Sequence, residues 1–114
     1  LMAAARPLAS AGEVAAGKIL YERKCGGCHS LDSNRIGPRH RGVVGRPVAS
    51  VPEYAYSPAL KKLSGTWTSA RLDRWLSGTQ KLAPGSRMYL KMDDAAERRA
   101  IIAYLGSVSK PSPR

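Results

Sequence analysis

Apolar positions recur at helical spacing in three stretches of the chain. In residues 12–24, Val14, Gly17, Leu20 and Tyr21 fall at i, i+3, i+6 and i+7, which puts them on one helix face. A second helix is predicted from an N-cap at Thr68 or Ser69 to about Ser77, with Leu72, Trp75 and Leu76 on one side and Gly78 ending it. A third opens at Asp93 and Asp94, with Glu97 in capping-box-like spacing. Its stripe is Ala100, Ile101, Tyr104 and Leu105, and Gly106 stops it. Residues 58–63 suit a shorter helix. Residues 30–56 hold Gly37-Pro38, Gly42, Gly45, Pro47 and Pro52, and residues 79–92 hold Pro84-Gly85, so both are predicted to be irregular. No strong strand is predicted. The pattern is that of an all-α domain of three to four short helices joined by long loops. Gly17 inside a helix costs about 1 kcal/mol against Ala, which predicts another helix lying close to it.

Composition sharpens the picture. The chain has 114 residues, which argues for one domain. Hydrophobic residues make up 43%, but aromatics only 6%, with no Phe. A core so poor in rings, with loops this long, calls for a large apolar body at its centre. Cys25-Gly26-Gly27-Cys28-His29 supplies the candidate. A C-x-x-C-H run reads as a covalent attachment site for c-type haem: each thiol can add to a vinyl group, and the histidine falls under the iron. The rival readings are a thiol-redox pair and half of a zinc site. Zinc needs two more soft ligands, and the chain has no other cysteine. The other histidine, His40, is flanked by Arg39 and Arg41. A thioredoxin-like frame needs a strand before the motif, where a helix is predicted instead.

The net charge is +11 and is unevenly spread. From Arg35 to Lys91 eleven Lys or Arg face only Glu53 and Asp73, a net of +9. Such a field can steer an acidic protein, an anionic membrane or nucleic acid. Charge is the only feature that favours nucleic acid, and it is no motif. No run approaches the roughly 18 apolar residues of a membrane span. Residues 1–11 are expected to be a loose N-terminal extension, residues 12–107 the domain, and residues 108–114 a tail kept extended by Pro111 and Pro113. Ala9-Ser10-Ala11 looks like a signal cleavage site, although Arg6 and Pro7 interrupt the apolar region before it; because haem attachment to two reduced thiols is normally done outside the bacterial cytoplasm, a lost secretion signal is expected. Periplasmic location is therefore expected.

The whole set of motifs resembles the small single-haem class I cytochromes c over roughly residues 13–107. The resemblance is carried by Cys25-x-x-Cys28-His29; by Gly37-Pro38 and Gly42-Val43-Val44-Gly45-Arg46; by Tyr54-x-Tyr56-Ser57-x-Ala59; by Trp67 with Leu72, Trp75 and Leu76; by Pro84-Gly85-Ser86-Arg87-Met88; and by Ala103-Tyr104-Leu105. It implies a cytochrome c fold around one covalent haem c, with the first and last helices crossing at Gly17, Tyr21 and Tyr104. It implies His29 and Met88 as axial ligands, and the Pro38 carbonyl as acceptor for the other ring nitrogen of His29. It places Arg46, Tyr56, Trp67 and Ser86 at the haem propionates, where buried carboxylates need donors and a cation. A soft thioether suits haem iron and stabilises its ferrous state. The competitors of Met88 are Met92, Met2 and His40. His40 stands where the family has Leu, and the loop from His29 to Pro38 is shorter than in the mitochondrial form. A neutral, hydrogen-bonded histidine is expected there; a redox-linked proton site is the sharper alternative. Leu90 and Trp75 replace a family aromatic and a family Tyr.

These readings lead to an electron carrier rather than an enzyme. Both axial positions are filled by protein, and acidic partners such as an oxidase, a reductase or a dehydrogenase would dock on the basic surface. The alternatives are a dedicated cytochrome subunit of one dehydrogenase, with residues 1–11 lying on the partner, and a haem enzyme or gas-binding protein with a displaced Met ligand.

Overall fold

The computed structural model describes residues 9–109, and its regular structure is helical. Five helices follow in order: α1 Ala11–Lys24, α2 Pro58–Lys61, α3 Ser69–Ser77, α4 Thr79–Leu82 and α5 Ala95–Ser107. β pairing among the described residues is an isolated bridge, Pro47 to Thr66. Residues 1–8, Pro111 and Pro113 lie outside the described residues.

Local chemistry sets the helix ends. Ser10 caps α1 by accepting from the Glu13 N–H, so that the helix begins at Ala11, one residue inside the expected extension. The Thr68 hydroxyl caps α3 through the Arg71 N–H, and Gly78 ends it. Asp94 caps α5 through the N–H groups of Ala96 and Glu97. Gly106 does not stop α5. The helix runs on to Ser107, and Ser109 then ties the end down, its hydroxyl donating to Leu105 O and accepting from Val44 N. The segment 79–92 is not wholly irregular either, since α4 lies within it.

The frame is the crossing of α1 and α5. A β-carbon on Gly17 would come 1.9 Å from Ala100 O and 3.0 Å from Tyr104 Cβ, so only glycine permits this approach. Tyr21 packs on Tyr104 with ring centroids 5.4 Å apart, and Ile101 is fully buried beside them. The Arg99–Glu13 and Lys24–Glu97 pairs bridge the two helices at the surface, where such pairs are worth about 0–1 kcal/mol. α3 adds Leu72, Trp75 and Leu76 to the same core. It is also tied to α5: Arg98 bonds Asp73 at 2.8 Å and Met92 O at 2.7 Å. The long loops close around what remains, and α1 delivers the chain directly to Cys25.

Candidate haem-binding site

Cys25 is the C-cap of α1, its N–H donating to Tyr21 O. The His29 N–H then donates to Cys25 O at 2.9 Å, so the motif continues as a tight turn off the helix. Burial pushes the Cys25 thiol up to about 11, with the neighbouring Cys28 adding to the rise and Lys24 opposing it. A thiol-redox nucleophile is instead held as thiolate, commonly at a helix N-terminus. A buried thiol at a helix C-terminus does not suit that chemistry. Arg35 was legible only as one cation of the basic field. Its guanidinium in fact donates to Gly26 O at 2.8 Å, His29 O at 3.3 Å and Gly27 O at 3.4 Å, strapping the turn from outside.

His29 is buried, and its Nδ1 lies 2.9 Å from Pro38 O. A carbonyl can only accept, so Nδ1 carries the proton and Nε2 presents its lone pair. Burial lowers the His29 pKa and favours this neutral form. His40 stacks on His29 and lies 2.9 Å from the Tyr21 hydroxyl through Nδ1. Burial first, then the His29 and Arg46 charges, hold it well below the ordinary histidine range. This is the neutral, hydrogen-bonded histidine.

All nine candidate residues, Cys25, Cys28, His29, Pro38, Arg46, Tyr56, Trp67, Ser86 and Met88, border one cavity of about 350 Å³. That volume is within the range of cofactor and ligand pockets. Met92 is buried but does not border it, and its N–H is spent on Leu76 O. Of the methionines among the described residues, Met88 borders the cavity and Met92 does not; Met2 lies outside the described residues. His40 borders the cavity from the His29 side.

The cavity fits a haem on its polar chemistry as well. Arg46 Nη1 donates to Arg39 O, but its Nε is buried with no partner. A half-buried guanidinium with a buried, unpartnered Nε in a cavity wall suits an anion such as a propionate. Tyr56 is buried beside it, its hydroxyl accepting from Val51 N. Trp67 packs on Trp75 at 5.6 Å between centroids. Ser86 borders the cavity, its hydroxyl donating to Met88 O at 3.1 Å and accepting from Gln80.

The Met88 segment is fixed through one carbonyl. Met88 O accepts from Thr79 Oγ1 at 2.6 Å, from Gln80 Nε2 at 3.1 Å and from Ser86 Oγ. Pro84-Gly85 forms the turn before it, closed by Ser86 N to Ala83 O, with Gly85 at φ +90° where a side chain would be strained. Gln80 also accepts from Gly85 N, and Arg87 ties the segment across to Ala55 O. Thr79 and Gln80 were missed in the sequence, where no spacing rule marks them.

The sequence profile of the cytochrome c family matches residues 14–109. Cytochrome c-type cyt cy of Rhodobacter capsulatus is 36% identical over 106 residues, covering 91% of this chain and 53% of that protein. The chain thus spans about half the length of that relative. Cytochrome c2 of Agrobacterium tumefaciens is 36% identical over 110 residues, 89% of this chain and 98% of its own. The solved structure of cytochrome cH from Methylobacterium extorquens superposes with a TM-score of 0.78 at 38% identity, covering 82% of this chain and 97% of that one. With the attachment motif, the cavity and the all-α frame in agreement, the chain belongs to the cytochrome c family, electron-transfer proteins that hold one haem c covalently.

Proposed function

We propose that this protein is a one-electron carrier whose iron is held by His29 Nε2 and the Met88 sulfur, with thioether links from Cys25 and Cys28. When bound, the haem supplies an iron that gains and loses one electron. The chain's own residues do the rest. Pro38 O keeps the proton on Nδ1 of His29, leaving Nε2 for the metal. Thr79, Gln80 and Ser86 hold the Met88 backbone. With His29 and Met88 both holding the iron, substrate would find no open coordination position. Arg46, Tyr56, Trp67 and Ser86 would hold the propionates, and Ser86 also bonds the Met88 backbone. The observation that carries the reading is that His29, with its tautomer set, and Met88 border the same cavity.

The partner surface follows from the mouth of that cavity. Ile36 and Tyr89 border it while 73% and 78% exposed, and Lys24 and Arg87 border it too. An apolar centre within a basic field suits an acidic redox protein. No helix among the described residues is long and apolar enough to cross a membrane. We place the protein in the periplasm, where c-type attachment to reduced thiols is completed.

Two measurements test the reading. Spectra of the oxidised and reduced protein should show a six-coordinate iron, and Met88→Ala should change both and admit added ligands. Unchanged spectra in Met88→Ala would sink the ligation. Electron transfer to an acidic partner should slow steeply as ionic strength rises. A rate indifferent to salt removes the basic docking surface.

A further inference from the structure

His40 touches His29 yet has no part in the ligation. The two rings stack with centroids 4.0 Å apart and planes 19° from parallel. Gly37 presses on His29 as well: a β-carbon there would come 2.0 Å from Cε1, 2.5 Å from Nδ1 and 2.6 Å from Nε2. The His40 ring and the Gly37 backbone thus both crowd the His29 ring. His40 is itself anchored. The Tyr21 hydroxyl lies 2.9 Å from its Nδ1, and the Tyr21 ring meets it edge-on at 5.6 Å. Tyr21 is buried in the α1–α5 crossing against Tyr104.

We propose that His40, anchored by Tyr21, is a positioning residue that sets the plane of the His29 ring about its metal-facing axis. The inference rests on His29 being the ligand. Pro38 O restrains one atom of the ring, and acceptor geometry at a carbonyl is broad. One hydrogen bond therefore leaves the ring free to rock, while the stacked His40 ring and the close Gly37 backbone oppose that motion. A leucine in place of His40 would fill space, but it offers no flat face and no partner for the Tyr21 hydroxyl. Tyr21 and His40 thus act as one unit, linking the helix crossing to the orientation of the ligand.

The orientation of an axial imidazole sets the magnetic anisotropy of ferric iron, so the test is spectroscopic. Electron paramagnetic resonance and haem-methyl proton shifts would be compared in the haem-loaded parent, His40→Leu, His40→Gln, Tyr21→Phe and the Tyr21→Phe/His40→Leu double variant. His40→Leu should shift the anisotropy and reorder the methyl resonances while the iron stays six-coordinate. Tyr21→Phe should move them the same way by less. The double variant should match His40→Leu, since removing the anchor of an absent ring does nothing more. His40→Gln, whose amide is flat and can bond Tyr21, should lie nearer the parent than His40→Leu. A ligated His40→Leu protein with the parent's anisotropy overturns the proposal, as does strict additivity in the double variant. Should His40→Leu fail to fold, His40→Gln and Tyr21→Phe decide, and parental values in both overturn it. A parent without histidine ligation overturns the ligation reading first and this one with it.

Discussion

Thr79→Val removes one hydroxyl from the segment that presents Met88. Thr79 is fully buried. Its hydroxyl donates to Met88 O at 2.6 Å and accepts from Leu90 N at 3.0 Å, while its own N–H donates to Leu90 O at 3.0 Å. Valine keeps the shape, so packing is conserved and the chemistry alone changes. Met88 O keeps Gln80 and Ser86 as donors, but the Leu90 N–H loses its acceptor. Stranding one such group costs about 1–3 kcal/mol. The cost falls on the closed segment, because in the open form water satisfies both groups. At a tenfold change per 1.4 kcal/mol, the open population rises about 5- to 150-fold.

The assay follows from the proposed ligation. Added imidazole reaches the ferric iron only when Met88 leaves, so its apparent affinity scales with the open population. Imidazole titration of Thr79→Val should show the same gain of about 5- to 150-fold. Ser86→Ala removes one of three donors to Met88 O and strands no N–H, since Gln80 keeps other acceptors. Its gain should be the smaller of the two. Affinity of Thr79→Val within twofold of the parent, or a larger effect in Ser86→Ala, would refute the argument that hydrogen bonds to this segment hold it shut.

Two further perturbations test the frame. Gly17→Ala gains about 1 kcal/mol of helix propensity, but its methyl meets a backbone carbonyl at 1.9 Å that cannot swing aside. Overpacking of 3 kcal/mol or more then leaves a net loss of about 2 kcal/mol, read from the denaturant midpoint, and a neutral result would count against the crossing. Asp32 is held below the ordinary carboxylate range by its hydrogen bonds from Arg41, at 2.6 and 3.0 Å. A depressed folded value contributes stability that is full above the unfolded value of about 3.9 and is lost as pH falls through the folded one. Asp32→Asn should therefore lower stability at pH 7 in low salt, and the gap should close as pH falls below about 4. A gap that persists in acid contradicts the pairing.

The parts of the fold legible in sequence were those set by local rules. Thr68, Gly78 and Asp94 mark helix ends through groups within three residues of them. Gly17 announced a close approach because it had no other reason to be in a helix. The C-x-x-C-H run was legible as chemistry, and the nine candidates border one cavity. What was missed depends on contacts between distant side chains and backbone. α4 has four residues, no side-chain cap and no periodicity; it is held by Thr79 and Gln80 reaching the 85–90 segment. Arg35 bonds three carbonyls six to nine residues back, which no spacing rule describes. Gly106 was read as a stop, but its φ is not positive, and the residues after it are packed: Val108 against the core, Ser109 against Val44.

The two candidate ligands are restrained by different means, and the difference has a consequence. On the His29 side the restraints act on the ring itself: a carbonyl on Nδ1, the Gly37 backbone close against it and His40 stacked on it, with Arg35 strapping the turn outside. On the Met88 side they act on the main chain, converging on one carbonyl, and the thioether follows through three rotatable bonds. His29 is also the neighbour of Cys28, so thioether links would tether its loop to the cofactor, while Met88 has no such link. Local opening therefore belongs to the Met88 segment, and it can occur without disturbing the α1–α5 crossing that supports the opposite ligand. On the proposed ligation, Thr79 and Gln80 would set how often that happens, and so how closed the iron remains.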